Sequence, residues 1–165
     1  MIERIRSWLG WALVIGLVAW MVAGRPGCGG GLRVEDGGPA PPFAVTDSSG
    51  REWTPESFAG RPYALVFFAT WCRSCRDDLP MLSRTAAERP DAAFLAISDE
   101  APATIGAYLS RARLSLPAAG QGQGAFHSYG VRALPSAVLV GADGLVAYSG
   151  EGPSAVEKAI RMLVR

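Results

Sequence analysis

"FFATWCRSCRDDLP", residues 67–80, joins the end of a long apolar run to two cysteines, Cys72 and Cys75, with two residues between them. The run begins upstream. "YALVFFA", 63–69, is a continuous apolar stretch of strand length, the pattern of a strand covered on both faces. Downstream, Leu79, Leu82 and Ala86 recur at near-helical spacing, which predicts a helix over about 73–88 with a kink at Pro80. Cys72 therefore falls where a buried strand ends and a helix starts.

The same patterns continue on either side. "FAVTDSSGREW" reads as two short strands about a Ser-Ser-Gly turn, and "AAFLAIS", 92–98, as a second buried strand. "APATIGAYLSRAR" has Pro102 near a helix start, with Ile105 and Leu109 on one side. "QGQGAFHSYGV", 121–131, reads as a loop leading into a short helical turn. "SAVLVGADGLVAYSG" is two strands joined at Ala142-Asp143-Gly144, and "PSAVEKAIRMLV" is a closing amphipathic helix begun by Pro153 and Ser154. The predicted order is β-α-β-α-β-β-α behind a small hairpin. That order implies an α/β sandwich, a mixed sheet with helices on both faces.

At 165 residues the chain is one domain with length to spare, and a net charge of +1 gives no basic face for nucleic acid. The spare length is N-terminal. Arg4 and Arg6 precede eighteen uncharged residues, Ser7 to Gly24, and then Arg25. As a helix this run would extend roughly 27 Å, close to a hydrocarbon core of about 30 Å. Trp8, Trp11 and Trp20 lie towards its ends, where interfacial aromatics are expected. We read 1–24 as an uncleaved transmembrane anchor with its N-terminus in the cytoplasm. A cleaved signal ending at Val22-Ala23-Gly24 is the alternative, and lipid modification of Cys28 a third. Residues 25–42 are dominated by Gly and Pro and read as a linker, which leaves 43–165 as the folded domain.

Three uses of the cysteine pair compete. A zinc site needs about four ligands. Beyond the pair the chain offers only Cys28 and the lone His127, read as a structural or surface histidine, so no metal is expected. A permanent staple gains little, since so short a loop restricts the unfolded chain least. A disulfide that opens and closes suits the placement. Unpaired N–H groups and the positive end of the helix dipole would point at Cys72 and favour its thiolate, with Arg73 and Arg76 adding positive charge. Cys72 is then the exposed nucleophile, and Cys75 is the sheltered partner that resolves a mixed disulfide.

With these residues in view, the chain resembles the TlpA/ResA branch of thioredoxin-like, membrane-tethered extracytoplasmic thiol–disulfide oxidoreductases. The likeness spans about residues 36–165 and rests on three separated motifs in order. These are "GGPAPPFAVTDSSGREWTPESFAG", Trp71-Cys72-x-x-Cys75 and "VRALPSAVLVGADGLV". The resemblance implies a thioredoxin-like fold, a Cys72–Cys75 disulfide and no cofactor. Pro135, after Leu134, matches the family's cis-proline, which lies beside the disulfide and offers backbone hydrogen bonds to an extended substrate. Trp71 would shield one side of the disulfide. Asp78 stands where relatives often carry Glu and would raise the pKa of Cys75 and take its proton. Where thioredoxin has a buried Asp, this chain has Val66.

The dipeptide Arg73-Ser74 lacks the usual Pro and gains a cation. It predicts a couple more oxidising than thioredoxin. The implied activity is reduction of protein disulfides, in some relatives during cytochrome c maturation. The implied partners are disulfide-containing exported proteins and a membrane electron donor. A peroxiredoxin-like peroxidase is an alternative, although Thr70 stands too close to Cys72 for it. A copper-binding assembly factor using His127 and a non-catalytic binding module are the others.

Overall fold

The computed structural model describes residues 32–165. The anchor over 1–24, most of the linker and Cys28 lie outside the described residues. Among those described, no helix is long and apolar enough to cross a membrane. The chain divides between residues 30 and 31, and the sheet and its helices belong to the unit Gly31–Arg165.

Seven strands form one sheet. They are β1 (Val45–Asp47), β2 (Glu52–Trp53), β3 (Tyr63–Phe67), β4 (Ala93–Ile97), β5 (Ala118–Gly120), β6 (Ser136–Val140) and β7 (Val146–Glu151). Their order across the sheet is β2-β1-β5-β4-β3-β6-β7. β3, β4 and β5 are parallel, and the remaining neighbours are antiparallel. The continuous apolar runs became the central strands, because β3, β4 and β6 are buried on both faces along their whole length.

Four helices cover the sheet: α1 (Arg73–Glu88), α2 (Pro102–Ala112), α3 (Gln123–Tyr129) and α4 (Pro153–Leu163). Successive parallel strands β3, β4 and β5 step in one direction, so right-handed crossovers put α1 and α2 on the same face. α4 joins them there. Leu79, Leu82, Ile105, Leu109, Val156 and Ile160 meet Ala64, Val66, Phe94 and Ala96 in one core. Ala125 and Tyr129 of α3 pack on the opposite face against Leu65, Phe67, Leu95 and Val138. This is the thioredoxin-like α/β arrangement. Pro80 does not end α1. It stands on the exposed side, where water can reach the Arg76 carbonyl left without its helical donor.

Three expectations change. β5 was not predicted: Ala118-Ala119-Gly120 is too short to show a period, and only its pairing with β1 and β4 makes it a strand. The segment read as a loop with a helical turn contains a seven-residue helix, α3. The described part of the linker, 32–42, is laid against the domain. Val34 is buried, Arg33 N–H donates to the Tyr129 carbonyl at 2.9 Å, and Gly37 N–H to that of Val146 at 2.7 Å. Composition misleads here because backbone hydrogen bonds hold the segment together with a few apolar side chains, Leu32, Val34 and Ala40, that pack on the core. Gly130 makes the contact possible, since a Cβ there would stand 2.8 Å from the Arg33 nitrogen.

Candidate active site

Between β4 on one side and β6 on the other, β3 is where the strand order reverses, and its carboxyl end is the usual place for a site in such sheets. Cys72 lies just beyond that end, as the N-cap of α1 with extended backbone angles. Its sulfur accepts a hydrogen bond from the Cys75 N–H at 3.2 Å and lies 3.5 Å from the Ser74 hydroxyl. The two cysteines are joined as a disulfide with their Cα atoms 5.3 Å apart. Cys72 is 7% exposed and Cys75 1%, so the first is sheltered more than expected and is still the more accessible of the two. Reduction would leave the Cys72 sulfur at a free helix N-terminus, with Arg73 and Arg76 exposed beside it and neither ion-paired among the described residues.

The other expected residues fall around this pair. The Leu134–Pro135 bond is cis. Pro135 is buried, and its carbonyl accepts from the Gly152 N–H at 2.7 Å. Among the described residues, the N–H and C=O of Leu134 have no backbone partner. Trp71, the neighbour of Cys72 in sequence, is 70% exposed, so most of its ring is apolar surface open to solvent. Asp78 sits one turn beyond Cys75 on α1, at a spacing that puts the two side chains on one face. One of its oxygens is buried with no hydrogen-bond partner. Burial first, then the charges of Asp77 and Glu157, pushes its carboxyl from 3.8 up to about 6. His127 is exposed in the last turn of α3, across the sheet from α1.

Sequence reasoning missed Glu100. Its carboxylate accepts the Thr70 N–H at 2.7 Å, the Thr70 hydroxyl at 2.6 Å and the Ser98 hydroxyl at 3.0 Å. An acid thirty residues from Thr70, inside "SDEAP", carries no local signal. The parallel pairing of β3 with β4 brings the loops after the two strands together.

The chain is 28% identical over 130 residues to thiol-disulfide oxidoreductase ResA of Bacillus thuringiensis subsp. konkukian, covering 76% of this chain and 75% of that one. A crystal structure of a secreted Mycobacterium tuberculosis disulfide oxidoreductase, described as homologous to E. coli DsbE, superposes with a TM-score of 0.62 at 26% identity. That likeness covers 74% of this chain and 94% of the other. A thioredoxin-family thiol:disulfide interchange protein of Chlorobium tepidum superposes with a TM-score of 0.64 at 20% identity, covering 79% and 99%, and it supports the fold alone. Residues 37–149, from the segment laid against the β6–β7 turn through the cysteine pair and the cis-proline into β7, match the AhpC/TSA family, and the chain belongs to it.

Proposed function

We propose that this chain is a thiol–disulfide oxidoreductase that reduces protein disulfides outside the cytoplasm, tethered by residues 1–24. The observation that carries the reading is the Cys72 sulfur at the N-cap of α1, receiving the Cys75 N–H, with Cys75 buried behind it. In the reduced protein, the Cys72 thiolate attacks one sulfur of a partner's disulfide. A mixed disulfide forms, and the partner's other sulfur leaves as a thiolate. Cys75 gives up its proton and attacks the Cys72 sulfur, which releases the partner's second thiolate. Two electrons have then passed to the partner, and the Cys72–Cys75 disulfide is restored. A membrane electron donor would reduce it again.

The half-buried Asp78 carboxyl, pushed up to about 6, suits the acceptor of the Cys75 proton. The unpartnered backbone groups of Leu134, beside cis-Pro135, and the exposed Trp71 ring suit an extended apolar partner segment. Exported disulfide proteins, apocytochromes c among them, are the substrates we favour. A peroxidase reading is disfavoured because the Thr70 hydroxyl is already turned to Glu100.

The test is the Cys72–Cys75 reduction potential, measured by equilibration with glutathione. A potential well below the extracytoplasmic poise supports the reductase. A markedly higher one, in the direction in which the Arg73 cation pushes, would reassign the protein to oxidation or isomerisation.

A further inference from the structure

The loop after β4 is built tightly onto the junction of β5 and α3. Gln121 N–H donates to the Glu100 carbonyl at 2.9 Å, Gly122 N–H to the Ser98 carbonyl at 2.9 Å, and the Gln123 amide to the Asp99 carbonyl at 2.6 Å. The approach is so close that a Cβ at Gly120 would stand 2.4 Å from the Glu100 carbonyl oxygen, and one at Gly122 would stand 2.7 Å from that of Ser98. Gln121, between them, takes a positive φ of 55°. "GQG", 120–122, is thus the seat of Glu100. From that seat the carboxylate reaches across to the reactive loop and takes both hydrogen-bond donors of Thr70, with Ser98 supplying a third. Thr70 is two residues before Cys72, and the Cys72 N–H closes a turn onto the Ala69 carbonyl at 3.1 Å.

We infer that Glu100 is a positioning residue for Cys72: seated on the Gly120–Gly122 turn, it clamps Thr70 so that the Cys72 sulfur stays on the Cys75 N–H. The inference rests on reading Cys72 as the nucleophile. Glu100 does not touch the sulfur. It fixes the backbone entering α1, and that fixed backbone keeps the thiolate on the helix N-terminus. A carboxylate suits the task because it accepts at both oxygens without competing as a donor.

Clamp and charge predict opposite signs. If the clamp matters, releasing Thr70 lets the sulfur drift from the Cys75 N–H, and the thiolate becomes harder to form. If Glu100 acted only through its negative charge, removing it would make the thiolate easier to form. The experiment is the pH profile of iodoacetamide alkylation at Cys72 in the reduced full chain, followed by peptide mass spectrometry. It needs no protein substrate, so it is independent of whether the protein reduces, oxidises or isomerises disulfides. Glu100→Ala is expected to move the midpoint upward by about one pH unit, a tenfold loss of rate below the midpoint. Glu100→Gln can accept the Thr70 N–H and the Ser98 hydroxyl at its oxygen and donate to the Thr70 oxygen, so its midpoint should not rise. A Glu100→Ala midpoint that is unmoved or lower overturns the proposal, as does a Glu100→Gln midpoint raised equally far. Should Glu100→Ala fail to fold, Thr70→Val is expected to raise the midpoint and Thr70→Ser to match the unaltered protein. Identical midpoints in those two variants would overturn it as well.

Discussion

Two acidic side chains approach the cysteine pair from different sides, and their surroundings are opposite. Glu100 comes from the loop after β4 and has a donor on each oxygen. Asp78 comes from α1 itself, one turn past Cys75, and has a buried oxygen with no donor at all. A carboxylate held by several N–H and O–H groups has one geometry and holds its neighbours in place. A carboxylate buried without donors is costly to charge, which is why Asp78 is pushed up to about 6 and can exchange a proton near neutral pH. On the roles proposed above, the same functional group would serve as a strut where its hydrogen bonds are filled and as a proton acceptor where they are withheld.

On this division, Glu100 acts through Cys72 and Asp78 through Cys75. The largest expected effects come from the sulfurs themselves. Cys72→Ser should lower disulfide reduction by at least about 10³-fold, because Cys75, the thiol of the pair that remains, is buried away from a partner. Cys75→Ser should still make the first attack and then accumulate a mixed disulfide, visible as a covalent adduct on a non-reducing gel. That trapped state separates the two acids. In the Cys75→Ser background, Asp78→Asn should leave the first attack within about twofold of the unaltered rate. An equal slowing of the first attack would mean that Asp78 serves both sulfurs, and the comparison would collapse.

With Cys75 present, Asp78→Asn should cost turnover on the order of 10-fold to 10²-fold at neutral pH and flatten the pH profile around 6, as expected for a lost proton acceptor. Stopped-flow reduction of a protein disulfide from pH 5 to 8 measures this. An unchanged profile would leave Asp78 as a buried acid without a catalytic part.

Stability should move the other way. The folded-state value of about 6 lies above the ordinary 3.8, so between those values the folded protein holds more protons than the unfolded chain. Stability therefore falls as pH rises through that window, and the full cost is present above about pH 6. Fully felt, the difference would be about 3 kcal/mol; solvent reaching this half-buried group reduces it to about 1 kcal/mol. Asp78→Asn should be more stable than the unaltered protein by about 1 kcal/mol above pH 6 and equal to it below pH 4 in urea melts. Slower catalysis in a more stable protein is the signature of a group buried for its chemistry.

How far all this could be read from the sequence depends on where each signal is stored. Cys72, Cys75 and the β3–α1 junction were legible because an apolar run, a helical period and a cysteine spacing meet within fourteen residues. Asp78 and Pro135 came with the resemblance. Neither the unpartnered Leu134 backbone nor the orphaned Asp78 oxygen can be seen in letters, since both are statements about what fails to approach. Glu100 was hidden for the opposite reason. Its partner Thr70 is thirty residues away, and only the β3–β4 register brings the two loops together. The glycines of "QGQG" looked like loop punctuation. Gly122 is in fact one of the close approaches on which the seat of Glu100 depends.

The smallest expected effect belongs to Trp71, which neither acid controls directly. Its ring is 70% exposed, so truncation removes little packing, and Trp71→Ala should change stability by no more than about 0.5 kcal/mol. An exposed ring next to a nucleophile can still matter to a partner large enough to cover it. KM for a protein disulfide should rise about threefold to tenfold, the range of a modest aromatic contact, while the rate with a small disulfide reagent stays level. Equal losses with both substrates would mean that Trp71 helps set the Thr70–Cys72 backbone. The reactive loop would then be held from two sides, and Glu100 would share its role with the residue between Thr70 and the sulfur.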